Sequence, residues 1–403
     1  MTWNGARPTR PVVFGLDTMN TLDILERLIA FPTLSRTSNR ELIAFVQGLL
    51  HGAGIETMLV ESPDGTRANF FATIGPADRG GVLLSGHTDV VPVEGQDWTR
   101  DPFRLSIADG RAYGRGTADM KGFVASAIAV ALRASGRSLQ TPLHLAFSYD
   151  EEIGCVGVRS LLETLAARSP RPLACIVGEP TGMRIATGHK GKLALRACCV
   201  GHAAHSALAP KALNALHLGA DFLGVLRREQ QRLAEEGATD AAYDVPFSTI
   251  HAGCMHGGQA LNIVPDRCDI DFEIRNVAAD DPQAILARLF DGAEAIVAPL
   301  RTSFPKAAIT IDEVNAYPGL ETADAADIVR LLRHITDDDG PTCKVAFGTE
   351  AGLFHEQLGI PAAICGPGHM DQGHKPDEYI ETDQLAACDH MLDRLVDVLV
   401  AGL

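Results

Sequence analysis

The sequence predicts an α/β protein with a smaller ferredoxin-like α+β domain inserted into it. Short apolar runs alternate with helix-spaced segments from about residue 18 to 190 and again after 316, as in a sheet covered by helices on both faces. Between 191 and 315 the order changes to strand, helix, strand, strand, helix, strand. The 403 residues also exceed what one core usually supports. The expected division is therefore residues 1–190 with 316–403 as one domain and 191–315 as the other.

The elements follow in order. "TMNTLDILERLIAF" opens on a capping residue and carries helical spacing, and "NRELIAFVQGLLHGAG" reads as a helix stopped by glycine. "IETMLVE", "ANFFATIG" and "GVLLSGH" are apolar runs bounded by turn residues, hence strands. "MKGFVASAIAVALRASG" is a helix, too short and alanine-rich for a membrane span. "LHLAFSY", "GVRSLLETLAARS" and "LACIVG" complete the first part as strand, helix and strand. In the inserted part, "KGKLALRACCVG", "STIHAGCMHGG", "QALNIVPDRCDIDFEIR" and "AAITIDEVNAY" read as strands. "ALNALHLGADFLGVLRREQQRLAEE" and "DPQAILARLFDGAEAIV" read as helices. The last part holds a helix near "TADAADIVRLLRHIT", a strand at "PAAICGPG" and a final helix over 382–401.

Charge and cysteine usage narrow the function. Thirty-five basic residues against 51 acidic give a net charge of −16, which argues against nucleic acid or an anionic membrane as partner. Nine cysteines with no CxxC pair suit reduced core thiols, so a reducing compartment is expected. "MTWNGARPTRPVVFGLD" lacks the apolar core of a signal peptide, and a soluble cytoplasmic protein is expected.

Several ionisable residues share one location, just past the end of a predicted strand. His87 and Asp89 follow "GVLLSG", Asp150, Glu151 and Glu152 follow "LHLAFSY", and Glu179 follows "LACIVG". His374 lies in the loop after "PAAICGPG", and Asp119 opens a helix after "AYGRGTA". Ligands of α/β sheets bind outside the carboxyl ends of strands. Two histidines with several carboxylates and no cysteine suit Zn²⁺, Co²⁺ or Mn²⁺ rather than a thiolate site. Asp89, two residues beyond His87 on an extended backbone, falls on the same side and can orient the imidazole. In the pair Glu151-Glu152, successive side chains diverge, so one can bind metal while the other holds a water as base.

In this order and spacing, "SGHTDVVP", "YGRGTADMKGF", "YDEEIGCVG", "GEPT", "HKGKL", "AHSALAP", "GGQALNIVPDRCDIDFEIR", "FGTEAGLF" and "GHKPDEY" carry a resemblance over about residues 20–400. The chain resembles the zinc-dependent aminoacylase and peptidase family of acetylornithine deacetylase, succinyl-diaminopimelate desuccinylase and carboxypeptidase G2, with the first as nearest subgroup. The resemblance implies a zinc-exopeptidase-like catalytic domain, with the inserted domain as lid and dimerisation module of a homodimer. One or two Zn²⁺ are implied, with Co²⁺ as a substitute. His87 and Glu179 would ligate one ion, His374 and Glu152 the other, and Asp119 would bridge them. Glu151 would be the general base and Asp89 the group that orients His87. His205 would reach the substrate from the small domain, with His202 as competitor. Arg275, Asn262, Thr349 and Glu350 would bind substrate. Arg275 can instead serve a core or dimer ion pair, and Asn262 a turn before Pro265. Glu350 either pairs with a cationic substrate side chain or is a helix N-terminal acid. The implied reaction is hydrolysis of N2-acetyl-L-ornithine to ornithine and acetate in arginine biosynthesis. The alternatives are a desuccinylase, another deacylase or dipeptidase, or a non-catalytic binding relative.

Overall fold

The computed structural model describes residues 19–403. The leader reading of residues 1–18 lies outside them. The chain opens with α1 (Thr21–Ile29), α2 (Arg40–Gly52), β1 (Thr57–Glu61), β2 (Ala68–Ile74) and β3 (Val82–His87). A small hairpin, β4 (Ser106–Ala108) and β5 (Arg111–Tyr113), precedes α3 (Gly122–Ala134). Then come β6 (Leu143–Ser148), α4 (Val158–Ala166), β7 (Ala174–Val177) and β8 (Ala186–His189). The inserted segment holds β9 (Gly191–Val200), α5 (Ala215–Glu236), β10 (Thr249–Gly257), β11 (Arg267–Asn276), α6 (Pro282–Val297) and β12 (Ala308–Tyr317). The chain then returns through β13 (Leu320–Glu321), α7 (Asp327–Thr336), β14 (Cys343–Val345), α8 (Ala351–Leu358), β15 (Ala362–Ile364), β16 (Tyr379–Glu381) and α9 (Thr382–Ala401).

Among the described residues the large sheet has nine strands, in the order β1-β2-β6-β3-β7-β15-β8-β13, with β14 beside β8. Its centre, β6-β3-β7-β15, is parallel. β1 and β2 run antiparallel at one side, and β8 turns back against β15 at the other. α1, α2, α3, α7 and α9 pack one face, and α4 and α8 the other. This sandwiching explains why β3, β6 and β7 are buried along their whole length and read as unbroken apolar runs. α3 is buried nearly all round because it lies between the sheet and helices α1 and α9.

The insert forms a four-stranded antiparallel sheet in the order β10-β11-β9-β12, the ferredoxin-like arrangement, with α5 and α6 on one face. β9 and β11 alternate buried and half-buried residues, which matches one covered and one open face.

Two local readings change. The helix expected from Met120 begins at Gly122, because Asp119 (φ −124°, ψ 94°) and Met120 (φ −133°, ψ 31°) are not helical. The strand expected across "QALNIVPDRCDIDFEIR" begins only at Arg267. Pro265 has no N–H for the ladder, and Val264 N–H donates instead to the Ala204 carbonyl (2.8 Å). The short strands β4, β5, β8, β13, β14 and β16 left little trace in the sequence, since two to four residues carry no readable period.

Candidate metal centre

The side chains gather where the parallel strands end. His87 is the last residue of β3, and Glu179 follows β7 by two residues. Glu151 and Glu152 stand in the turn after β6, and Asp119 in the irregular turn before α3.

Asp119 lies between the two histidines. Its Oδ1 is 3.1 Å from His87 Nε2, and its Oδ2 is 3.1 Å from His374 Nε2. Glu152 Oε2 is 3.0 Å from the same His374 nitrogen, and Glu179 Oε1 is 3.8 Å from His87 Nε2. The ligand atoms of His87, Glu151 and Glu179 lie within 4.8 Å of one another, as do those of His87, Asp119 and Glu152. His87 Nδ1 is 2.9 Å from the Asp89 carbonyl oxygen. A carbonyl only accepts, so Nδ1 carries a proton and Nε2 is the nitrogen aimed into the cluster.

The expected role of the Asp89 carboxylate changes in detail. It stands 3.7 Å from His87 Nδ1, and the carbonyl of the same residue makes the closer contact. The carboxylate instead accepts the N–H groups of Glu151 (3.0 Å) and Glu152 (3.3 Å) and the Ser35 hydroxyl (2.8 Å). Asp89 thus ties the His87 strand end to the Glu151-Glu152 turn. That turn is held from outside by Asp150, which accepts Arg36 N–H (2.6 Å) and pairs with Arg67.

Burial sets the electrostatics. It pushes the Glu151 and Glu179 carboxyls well above their ordinary range, helped by neighbouring carboxylates. Burial and Asp119 raise Glu152 to about 7. Hydrogen bonds to Asp119 and Glu152 raise His374 to about 10. Burial opposes the charge on His87, yet Asp119 and Glu179 lift it well above its ordinary value. Burial opposes the charge on Asp119 too, and the two imidazoles hold it low. Four acids crowded beside two imidazoles form a nitrogen-and-oxygen donor set that multivalent cations neutralise. The donors fit two ions, with one Asp119 oxygen directed to each half.

Asp119, Glu151, Glu152, Glu179 and His374 line a cavity of about 200 Å³, to which Lys192, Arg275 and Tyr317 of the small sheet also contribute. A model of the peptidase family M20/M25/M40 matches residues 83–398. The chain belongs to that family. Acetylornithine deacetylase of Shigella sonnei (strain Ss046) is 34% identical over 370 residues, covering 90% of this chain and 93% of that protein. Acetylornithine deacetylase of Pasteurella multocida (strain Pm70) is 32% identical over 94% of this chain and 98% of that protein. Among solved structures, an M20 family metallo-carboxypeptidase from Sulfolobus solfataricus superposes with a TM-score of 0.75 at 19% identity, over 95% of this chain and 100% of that one. A Bacillus subtilis protein described as a dinuclear metal binding peptidase of the M20 family gives 0.68 at 15% identity, over 95% and 98%.

This M20 chain is a metallohydrolase for amide bonds of small molecules. Its other expected site residues scatter. Arg275 reaches the cavity from β11; its Nη1 is 3.0 Å from the Tyr317 hydroxyl, and its Nε 3.0 Å from Glu273. His205 is exposed at the start of a 3₁₀ turn, with Nδ1 accepting Ala207 N–H (3.1 Å), and it does not line this cavity. Asn262 is exposed beside it, and its carbonyl accepts Ser206 N–H (2.9 Å). Thr349 is fully buried ahead of α8, its hydroxyl accepting Ala351 N–H (3.0 Å), and it does not line the cavity.

Glu350 stands at the N-terminus of α8. It is 1% exposed beneath the floor, where Ser148 donates to Oε1 (2.5 Å) and Ser85 to Oε2 (3.3 Å). Both oxygens face strand hydroxyls, and burial raises the carboxyl to about 7. Glu350 is not among the residues that line the cavity.

Three cavity neighbours escaped the sequence. Lys192 and Tyr317 line it from β9 and β12, and the Cys155 thiol donates to Glu151 Oε1 (3.2 Å). "HKGKL" and "EEIGC" contained two of them, but motif matching assigns no direction to a side chain.

Proposed function

We propose that the chain hydrolyses the amide bond of an N-acyl-L-amino acid, with N2-acetyl-L-ornithine as the substrate and ornithine and acetate as products. The observation that supports the reaction is the Asp119 carboxylate shared between His87 and His374, with Glu151 beside it in the cavity. The named relatives support the substrate. His87, Asp119 and Glu179 would hold one Zn²⁺, and Asp119, Glu152 and His374 a second, with Co²⁺ as a substitute. When bound, such ions polarise an amide carbonyl and acidify an attacking water. Glu151, its carboxyl raised by burial, takes the water's proton and passes it to the leaving amine. Asp89 keeps the His87 strand end and the Glu151 turn in register. Arg275 receives the substrate carboxylate. We assign residues 1–190 and 316–403 to the catalytic domain and 191–315 to a lid and dimerisation domain of a cytoplasmic homodimer. Closure of that domain brings His205 and Asn262 toward the substrate, His205 to the developing oxyanion.

A second reading has its own support. Apart from the four cluster acids and His374, the side chains lining the cavity include Lys192, Arg275, Tyr317, Phe347 and Met370, with no further acid among the described residues. This wall suits a neutral or acidic substrate, such as N-acetylmethionine or an N-succinyl amino acid, better than a cationic one. The test is kcat/KM for N2-acetylornithine, N-acetylmethionine and N-succinyl-diaminopimelate with Zn²⁺ or Co²⁺ added. N2-acetylornithine is expected to lead; a tenfold preference for either of the others replaces the substrate, and no hydrolysis of any N-acyl amino acid overturns the reading.

A further inference from the structure

Behind the cluster, on the side away from the cavity, a buried ion pair holds the backbone of both halves of the centre. Glu378 and Arg115 are each 1% exposed, and Glu378 Oε2 accepts Arg115 Nη1 at 2.7 Å. Glu378 Oε1 accepts the N–H groups of Ala118 (3.0 Å) and Asp119 (3.2 Å). The carboxylate therefore grips the main chain of the residue that stands between the two histidines, in a turn whose dihedrals are not helical. Arg115 extends the network. Its Nη2 donates to Gln96 Oε1, and its guanidinium lies 5.0 Å over the Trp98 ring. Gln96 Nε2 in turn donates to the His374 carbonyl (3.1 Å), and Arg115 Nη1 approaches the Lys375 carbonyl (3.3 Å). One chain of contacts thus runs from the Asp119 amide through Glu378, Arg115 and Gln96 to His374. None of Glu378, Arg115 or Gln96 lines the cavity.

We propose that the Glu378–Arg115–Gln96 network is a positioning site that sets the separation of Asp119 and His374, and through it the affinity and geometry of the ion they share. The inference rests on the metal-centre reading above but not on the substrate. The chemistry at Glu378 is specific. An ionised carboxylate only accepts, and here it meets three N–H donors. A glutamine in its place turns an NH₂ toward one of them, so the Asp119 turn or the guanidinium must move. Groups that orient metal ligands from outside typically alter affinity or activity 10–100-fold.

The test uses the full chain stripped of metal and titrated calorimetrically with Co²⁺ alone, with the visible absorption of the loaded protein as a second readout. Glu378→Gln is expected to weaken the Co²⁺ site shared by Asp119 and His374 about 10–100-fold and to change its visible bands. In steady state kcat falls while KM stays near the wild-type value. Gln96→Ala, on the half-buried loop, cuts only the His374 arm and keeps the test open if Glu378→Gln fails to fold. It is expected to weaken the same ion and leave the other. Co²⁺ affinities and bands matching wild type in the folded variants overturn the proposal. A wild-type chain that binds no Co²⁺ instead overturns the metal-centre reading on which it rests.

Discussion

At Glu151 two pressures meet. Burial and surrounding carboxylates hold its proton, while the Cys155 thiol donates to one of its oxygens. Replacement by glutamine keeps the shape and removes the basic oxygen. Glu151→Gln is expected to lower kcat by about 10²–10⁴-fold with unchanged metal content, read by turnover and elemental analysis on one preparation. Glu350 behaves differently because it lies under the floor. Glu350→Gln is expected to change kcat/KM for N2-acetylornithine and N-acetylmethionine by the same factor; a loss confined to the ornithine substrate would restore a direct contact. The residue types at both positions were readable in "YDEEIG" and "FGTEAG". The direction of Glu350 was not, because helix-end acids face a pocket or a neighbouring strand with equal ease and only the tertiary meeting with Ser85 of β3 and Ser148 of β6 decides it.

The strands and helices that build the floor have their own tolerances. Gly178, between β7 and Glu179, lies against the Phe123 ring of α3, and a Cβ there would overlap the ring. Gly178→Ala is expected to destabilise the fold by about 1–3 kcal/mol and to weaken metal binding by displacing Glu179, read by denaturant melts and metal titration. β6 carries a pH response. His144 is 6% exposed, contacts Thr73 Oγ1 at 3.0 Å and stacks on Phe71; burial, with the Arg168 charge, lowers it to about 4. The unfolded chain binds this proton near 6.5, so between 6.5 and 4 it binds more protons than the folded one. The contribution is complete above 6.5 and is lost as pH falls toward 4, at about 1.4 kcal/mol per unit. His144→Gln is expected to flatten stability against pH in that window, measured by urea melts at pH 4, 5, 6 and 7.

For the whole molecule, the centre joins segments far apart in the chain, and ions that bind only the folded state stabilise all of it. Chelation is expected to lower the melting temperature. Restoring free Zn²⁺ to 1,000 times its dissociation constant should return about 4 kcal/mol per site, read by calorimetry. An unchanged melt after verified metal removal would count against a centre that bridges the fold. The small sheet contributes through register. On β9, Lys192 stands opposite Arg275 of β11 on one side and Tyr317 of β12 on the other, and all three reach the cavity. No helix among the described residues is long and apolar enough to cross a membrane.

The pattern of residues was enough to announce the layered α/β class and the acids and histidines at strand ends. Those features depend on local period and on the rule that parallel strands deliver their carboxyl ends to one edge. Contact order hid the rest. Lys192 meets Tyr317, and Glu378 meets the Asp119 amide, only when segments more than a hundred residues apart are paired by sheet order and loop path. Side-chain direction at Glu350 is likewise set by the strand hydroxyls that meet it, a property of the folded interior and not of the neighbouring letters.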